Sequence, residues 1–175
     1  MRQAFNILNG KPDKYTDKLH KIMKEFGINF ATGVPCGVQK YIIYNFTSDP
    51  EIYHIPATRE SEAIGIAAGA YLAGKKPAIY MQNSGLFSSS NDIASLLIPY
   101  KISVLLLVTW RGSHGEDAPQ HQITGKATLT LLESMDIPYK LLKKDDISQI
   151  MVNLLESMEK LQFPVALLIQ RRWNK

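Results

Sequence analysis

Residues that could carry out chemistry follow four short apolar segments of the chain. They are Cys36, Arg59, Glu60, Gln82, Asn83, Ser84, Arg111, His114, Asp117 and His121. Carboxyl and imidazole groups exchange protons, amides and hydroxyls orient a ligand, and an arginine binds an anion through paired hydrogen bonds. Together these groups indicate a site for a small ligand, which could be an anion.

Each of these residues also has an ordinary structural interpretation. Glu60 begins a helical pattern, where an acid commonly stabilises the positive end of the helix dipole. A histidine in a loop, such as His121, is more often a surface group than a catalyst. The single cysteine, Cys36, is more often a small buried apolar residue than a nucleophile. From the residues alone, these structural interpretations remain favoured.

The elements that must position these residues alternate between helices and strands. Helical periodicity predicts helices over residues 16–26, 38–46, 59–73, 89–98, 124–135 and 145–161. Short β-rich runs predict six strands, over residues 28–31, 53–55, 77–81, 102–109, 139–142 and 164–170. This alternation is typical of βαβ units. We therefore predict a single α/β domain over residues 1–175, with a mostly parallel sheet between two helical layers.

The candidate residues lie in loops that follow predicted strands. These loops span residues 33–37, 56–60, 82–91 and 110–122. In open α/β sheets, ligands bind outside the carboxyl ends of the strands. We therefore expect the four loops, and the side chains they carry, to meet at one edge of the sheet.

Composition and missing motifs exclude several classes of function. The 175 residues include 20 Lys+Arg and 16 Asp+Glu, and the net charge of +4 is spread along the chain rather than clustered as in nucleic-acid-binding proteins. The longest apolar segment, residues 102–108, is far shorter than the roughly 20 residues that cross a bilayer. One cysteine allows no internal disulfide. We expect a cytoplasmic protein that binds neither nucleic acid nor membranes and has no metal site of its own.

The predicted helix over residues 59–73 is rich in alanine and glycine. Gly65 and Gly69 each cost about 0.5–1 kcal/mol relative to alanine inside a helix, so their presence indicates a close approach by another part of the structure. Two alternatives remain open. The helix packs tightly against its own sheet, or it lies at an interface with another subunit.

The segment HIPATRESEAIGIAAGAYLAGKKPAIYMQNSGL, residues 54–86, resembles the pyrimidine-binding domain of thiamine-diphosphate-dependent decarboxylases. The resemblance is to sulfopyruvate decarboxylase α subunits and phosphonopyruvate decarboxylases in particular, and it extends over residues 33–139. Its motifs are Glu-x-x-Ala, the Ala/Gly-rich run and Gln-Asn-Ser-Gly, which are specific as a set. The resemblance implies the thiamine-diphosphate-binding fold and a decarboxylase activity.

The resemblance also implies a role for each candidate residue. Glu60 would hydrogen-bond N1′ of the aminopyrimidine and exchange a proton with it, which a glutamine could not do. His121 would return a proton after CO₂ is lost. Arg111 and His114 would bind the second anionic group of the substrate. The remaining residues would line the cofactor, and these are Pro35, Cys36, Gln82, Asn83, Ser84 and Gly85.

The Gly-Asp-Gly…Asn motif with which this family holds diphosphate and Mg²⁺ is absent from the sequence. The resemblance therefore implies the α subunit of a split enzyme, in a hetero-oligomer with a β subunit that carries the metal site. Residues 54–66 resemble the sulfopyruvate type and residues 110–121 the phosphonopyruvate type. The second segment favours conversion of 3-phosphonopyruvate to phosphonoacetaldehyde and CO₂. The alternatives are conversion of 3-sulfopyruvate to sulfoacetaldehyde, and a non-catalytic ligand-binding module.

Overall fold

A computed structural model describes residues 14–113, 118–171 and 173, and its described strands form one parallel sheet. The strands are β1 (Phe30–Gly33), β2 (Tyr53–Pro56), β3 (Pro77–Gln82), β4 (Leu105–Trp110), β5 (Tyr139–Leu141) and β6 (Val165–Gln170). Their order is β2-β1-β3-β4-β6-β5, and every neighbouring pair is parallel. The prediction of about six mostly parallel strands is confirmed.

Helices cover both faces of this sheet. They are α1 (Lys14–Glu25), α2 (Lys40–Ser48), α3 (Glu60–Leu72), α4 (Asn83–Ser88), α5 (Ser90–Asp92), α6 (Gln122–Ser134) and α7 (Ile147–Leu161). Two buried cores separate the layers. Helices α1, α2 and α7 share one core with one face of the sheet. Helices α3, α4 and α6 and the π-helical segment Ile93–Leu97 share the other core with the opposite face. The predicted three-layer αβα architecture is therefore confirmed.

The amphipathic pattern of the first helix explains how it packs. Leu19, Ile22 and Met23 recur at helical spacing and are buried against the sheet and α7. Gly27 follows the helix with a φ of +81°, a conformation that glycine adopts at little cost. Strand β4, by contrast, starts with an unbroken apolar run over residues 105–108, because side chains on both of its faces are buried.

The segment after β3 differs from the prediction. Residues 82–91 were expected to form a loop before a helix over 89–98, but α4 begins directly at Asn83. The composition is misleading because the serine side chains bond to main-chain carbonyls inside the helix. Ser88 Oγ and Ser89 Oγ donate to the Gly85 carbonyl at 3.0 and 2.7 Å. Such bonds satisfy the serine hydroxyls within the helix, so a serine-rich segment that reads as a turn is compatible with helical structure.

The start of two strands also differs from the prediction. Strand β1 begins at Phe30 rather than at residue 28, and β4 begins at Leu105 rather than at residue 102. Ile102 is still bonded to the π-helical segment Ile93–Leu97, through its N–H and the Leu97 carbonyl at 2.9 Å. The apolar residues that precede each strand are buried as part of the core, so hydrophobicity alone extends the prediction too far.

Helix α3 distributes its small residues between two faces. Ala63, Ala67 and Ala68 are buried against the sheet. A Cβ added at Gly65 or Gly69 would meet no atom within 4 Å. Tight packing of the helix against its own sheet therefore explains the alanines but not the two glycines, which face open space.

A hydrogen-bonded network lies under strand β2, on the face covered by α2. His54 Nε2 is 2.9 Å from the buried Tyr80 hydroxyl, and His54 Nδ1 is 3.0 Å from Thr47 Oγ1. Thr47 Oγ1 in turn donates to the Ile43 carbonyl at 2.9 Å. Phe46 stacks on Tyr80 with ring centroids 6.3 Å apart. Burial lowers the pKa of His54 and raises the pKa of Tyr80 to about 12.

The described residues contain neither a membrane-spanning helix nor a metal-binding cluster. None of the helices there is long and apolar enough to cross a membrane. In the same residues, no group of three or more His, Cys, Asp or Glu side chains could hold a metal ion.

Candidate active site

The carboxyl ends of the parallel strands bring the candidate residues to one edge of the sheet. Strand β1 ends before Pro35 and Cys36, and β2 ends shortly before Glu60. Strand β3 leads directly into α4, and β4 ends at the turn that carries Arg111. The predicted convergence of these segments is a direct consequence of the parallel register.

Glu60 lies in the first turn of α3, and its side chain packs directly against Gly85 in α4. A Cβ added at Gly85 would overlap Cγ, Cδ and Oε1 of Glu60. Gly85 is itself buried, and Glu60 is half-buried. Glycine is therefore needed at this position because the glutamate occupies the space that any other side chain would take.

A second acid in the first turn of α3, Glu62, is bonded to the segment that precedes the helix. The Glu62 carboxylate accepts hydrogen bonds from the main-chain N–H and the hydroxyl of Thr58, at 2.8 and 2.7 Å, and these bonds lower the pKa of Glu62. Within the described part of the chain, no side chain or main-chain group bonds to the Glu60 carboxylate. The structure thus leaves the Glu60 oxygen atoms available to a ligand.

A second group of predicted residues meets between β1 and β3. Gln82 Nε2 lies 3.5 Å from Cys36 Sγ, and Ser84 Oγ donates to Gln82 Oε1 at 3.1 Å. Cys36 is only 8% exposed, whereas Ser84 and the preceding Pro35 are exposed. The prediction that Cys36 is buried is confirmed. Gln82 and Ser84 form a polar lining beside it.

The turn after β1 depends on a close contact between two main chains. Gly33 has a φ of +149°, and a Cβ there would overlap the Tyr80 carbonyl of β3. Val34 N–H donates to the Tyr80 carbonyl at 3.1 Å, and Ala57 N–H donates to the Gly33 carbonyl at 2.9 Å. This contact directs the chain toward Pro35 and holds the β1 turn against its neighbours.

Asn83 lies deeper than the other residues of its motif. It is fully buried, and its Nδ2 donates to the Arg111 carbonyl and to Thr128 Oγ1, each at 3.0 Å. Its Oδ1 accepts the Arg111 N–H at 3.3 Å. The side chain therefore contacts the β4 turn and α6. Its predicted contact with a cofactor stays a prediction.

Glycines hold the β4 turn against α6 from the other side. Gly112 has a φ of +74°, and a Cβ there would overlap the His121 carbonyl. A Cβ at Gly125, inside α6, would overlap the Gly112 main chain. Trp110 Nε1 adds a hydrogen bond to the Gly125 carbonyl at 2.8 Å. Arg111 and His121 are therefore carried by segments that touch through their main chains.

His121 ends a 3₁₀ turn, Pro119–His121, before α6. It is 9% exposed, and its buried Nδ1 has no hydrogen-bond partner in residues 14–113, 118–171 and 173. A nitrogen that is not committed to another group is what a proton donor or acceptor requires. His114, the second predicted substrate-binding residue of this loop, lies outside the described residues.

Sequence reasoning missed the residues that support the β4 turn. Thr128 reads as an ordinary helical threonine, and its partner Asn83 is 45 residues away in the chain. Gly125 carried a usable signal, because a glycine inside a helix indicates a close approach. The partner of that approach, Gly112, is not deducible from local pattern.

A parallel sheet with polar groups gathered at its carboxyl edge defines an α/β ligand-binding domain. Over residues 13–130 the sequence matches the family described as "Thiamine pyrophosphate enzyme, N-terminal TPP binding domain". The chain therefore belongs to the family of thiamine pyrophosphate enzymes, of which it contains the N-terminal cofactor-binding domain. The predicted family and fold are confirmed.

Similar proteins carry more specific names. The sulfopyruvate decarboxylase subunit alpha of Methanococcus maripaludis is 38% identical over 164 residues, which cover 88% of this chain and 93% of that protein. That of Methanocaldococcus jannaschii is 41% identical over 151 residues, which cover 86% and 89%. The phosphonopyruvate decarboxylase of Streptomyces viridochromogenes is 39% identical over 117 residues, 66% of this chain but 30% of that protein.

Proposed function

We propose that this chain is the α subunit of a thiamine-diphosphate-dependent decarboxylase of small anionic 2-oxoacids, acting with a separate β subunit. The observation that carries the proposal is the Glu60 carboxyl, packed over Gly85 at the sheet edge and without a partner in the described residues. Glu62 in the same turn is bonded to Thr58, whereas Glu60 makes no such structural bond in the described residues. Similar proteins named "subunit alpha" match nearly their whole length and support the division into two subunits.

The residues at the sheet edge fit the cofactor. Gly85 leaves a gap that holds the Glu60 carboxyl, and a carboxyl with free oxygen atoms suits a ring nitrogen that gains and loses a proton. Gln82, Ser84, Cys36 and Pro35 would line the same pocket. Thiamine diphosphate, when bound, supplies the electron sink for loss of CO₂.

Proton transfer is the task we assign to two side chains. Glu60 would hold a proton at the pyrimidine ring nitrogen and release it when needed. His121, with an uncommitted Nδ1 in the described residues, would donate a proton to the substrate-derived carbon after CO₂ has left. Both assignments require the titratable form of the side chain, which neither glutamine nor asparagine provides.

Substrate recognition falls to Arg111 and, as predicted from sequence, to His114. A guanidinium group matches the oxygen geometry of a sulfonate or phosphonate through paired hydrogen bonds. We propose that the β subunit supplies the site for the diphosphate and Mg²⁺, and that the enzyme is cytoplasmic. The single cysteine, Cys36, is unpaired and compatible with that compartment.

The choice between the two substrates rests on different observations. The relatives whose length this chain matches are named for sulfopyruvate, and we therefore propose 3-sulfopyruvate as the preferred substrate. The sequence of the β4 loop, around Arg111 and His121, resembles the phosphonopyruvate type, and this favours 3-phosphonopyruvate as the second candidate. The two acids differ in charge and in the number of acidic protons on their second group.

Reconstitution with a candidate β subunit tests the proposal. The purified subunits should each be inactive, and their mixture with thiamine diphosphate and Mg²⁺ should release CO₂ from one of the two oxoacids when both are assayed side by side. A mixture that binds the cofactor but turns over neither acid would indicate a non-catalytic module and overturn the proposal.

The Glu60→Gln variant examines the central residue, and Glu62→Gln is its matched control on the same helix turn. We expect E60Q to assemble normally and lose at least about 100-fold in kcat, because the acid's proton is removed. E62Q should keep its turnover and lose only part of the hydrogen bonding between residue 62 and Thr58. Equal turnover in E60Q and wild type would remove Glu60 from the mechanism.

A further inference from the structure

The β4 turn that carries Arg111 is held by a buried amide. We propose that Asn83 is a positioning residue that fixes Arg111 for the second anionic group of the substrate, in place of the cofactor contact predicted from sequence. This inference rests on the proposed function, in which Arg111 binds that group. Asn83 acts through the main chain of Arg111 and contacts no reacting atom.

The orientation of the Asn83 amide follows from its partners. Thr128 Oγ1 donates its proton to the Thr124 carbonyl at 2.6 Å, so it can only accept from Asn83 Nδ2 at 3.0 Å. The second Nδ2 hydrogen points to the Arg111 carbonyl, also at 3.0 Å. Oδ1 then faces the Arg111 N–H, which it shares with the Thr109 carbonyl at 3.2 Å. A flipped amide would place its oxygen against two acceptors.

This arrangement requires asparagine rather than a similar residue. Aspartate lacks both hydrogens and would bury a charge, and serine is too short to span from α4 to the turn. Asn83 is fully buried, and a buried polar group that loses its partners destabilises the fold. The amide therefore holds both the N–H and the carbonyl of Arg111, which restrains the direction in which its side chain leaves the turn.

The opposite side of the turn is restrained as well. Gly112 and Gly125 touch main chain to main chain, so the turn is held between α4 and α6. Thr128 joins the two helices by accepting the Asn83 hydrogen bond. Loss of the amide would release one side of the turn while the glycine contact remains, so we expect Arg111 to be displaced without loss of the fold.

The matched variants Thr128→Val and Thr128→Ser test the inference in the reconstituted complex. Valine keeps the shape of threonine but removes the acceptor for Asn83, whereas serine keeps the hydroxyl. We expect T128V to raise KM for 3-sulfopyruvate about 10-fold or more with kcat lowered less than 3-fold, and T128S to resemble wild type. The Asn83→Ala variant should show the same split, with a larger rise in KM.

Two further measurements separate positioning from a general loss of structure. In an Arg111→Ala background, T128V should add less than a 2-fold change in KM, because the group that Asn83 positions is gone. Hydrogen exchange of the main-chain amides of residues 110–113 should be at least about 10-fold faster in T128V than in T128S, independently of turnover.

The outcomes distinguish this inference from the proposed function. If wild-type complex turns over neither oxoacid, the proposed function fails and the substrate role of Arg111 fails with it. If wild type is active but T128V and T128S have equal KM and equal exchange, only the role of Asn83 is overturned. The inference would also be overturned if T128V changed kcat and KM by the same factors whether residue 111 is arginine or alanine.

Discussion

Replacing Gly85 with alanine would test whether Glu60 acts from the place where the structure holds it. The new Cβ would overlap the Glu60 carboxyl, and ordinary contact requires the carboxyl to move away by about 1 Å. Alanine is favoured over glycine inside α4 by about 0.5–1 kcal/mol, which offsets the cost of about 0.5–1.5 kcal/mol for moving the glutamate off its rotamer. We therefore expect the free energy of unfolding to change by less than about 1 kcal/mol.

The catalytic cost of the same substitution should be much larger. A displacement of about 1 Å of a reacting group lowers turnover by about 100-fold, or about 2.7 kcal/mol in the barrier. The assay is CO₂ release by the complex reconstituted with the β subunit, thiamine diphosphate and Mg²⁺. Urea unfolding of the same Gly85→Ala preparation measures the effect on the fold.

A double-variant cycle with Glu60→Gln provides the control. If Gly85 matters because it leaves room for the Glu60 carboxyl, G85A should add little to the loss already caused by E60Q. Wild-type turnover in G85A would refute the reasoning. So would a loss of the same size in both backgrounds, since Gly85 would then act independently of the glutamate.

Three other predictions concern stability and assembly. Gly69 faces open space, so Gly69→Ala should raise the free energy of unfolding of the chain by about 0.5–1 kcal/mol, as measured in urea. If α3 contacts the β subunit, the same substitution should weaken binding of that subunit in a titration. Partial burial raises the pKa of Asp49, but hydrogen bonds from Lys24 and His20 outweigh it and lower the pKa to about 2. The stabilisation from ionised Asp49 is complete above pH 4 and lost as the pH falls toward 2. Asp49→Asn should therefore lower the free energy of unfolding by about 1–2 kcal/mol at pH 7. It should also weaken the acid limb, which is the fall in that free energy between pH 4 and 2, as measured by urea unfolding. Burial lowers the pKa of His54 because it disfavours the charged ring. The contribution of His54 to the free energy of unfolding is therefore complete above pH 6.5 and is lost as the pH falls below that value. His54→Gln should remove this dependence in unfolding measured from pH 7 to 5.

Each of these three has a result that would contradict it. A Gly69→Ala variant that binds the β subunit as wild type does would exclude the open face of α3 from the interface. An acid limb unchanged by Asp49→Asn would place the lost stability in other carboxyl groups. A pH dependence below 6.5 that persists in His54→Gln would assign the titration to a different histidine.

Local patterns were sufficient for most of the fold, because the sheet is built from short apolar strands between amphipathic helices. The periodicity of Leu19, Ile22 and Met23 identifies α1, and the apolar run of β4 identifies a strand covered on both faces. The prediction was wrong at α4, where the serine side chains satisfy carbonyls within the helix. This is a local side-chain effect that composition does not encode.

The contacts at the carboxyl edge of the sheet were not predictable from the sequence. Glu60 and Gly85 were both identified, yet their mutual packing depends on α3 and α4 meeting across the edge of the sheet. The partner of Asn83 is Arg111, 28 residues away, and nothing local distinguishes a buried amide from one that faces a ligand. Long-range pairs of this kind arise from topology, and therefore only the folded chain reveals them.

The network around His54 has a fixed direction. Thr47 gives its only proton to the Ile43 carbonyl, so it must accept from His54 Nδ1–H, and the other ring nitrogen must accept from Tyr80. The neutral ring is therefore held as its less common Nδ1–H tautomer, which nitrogen NMR shifts would reveal. Removing the phenol hydroxyl with Tyr80→Phe would relax this preference. The opposite tautomer would require Thr47 to give up its hydrogen bond to the Ile43 carbonyl.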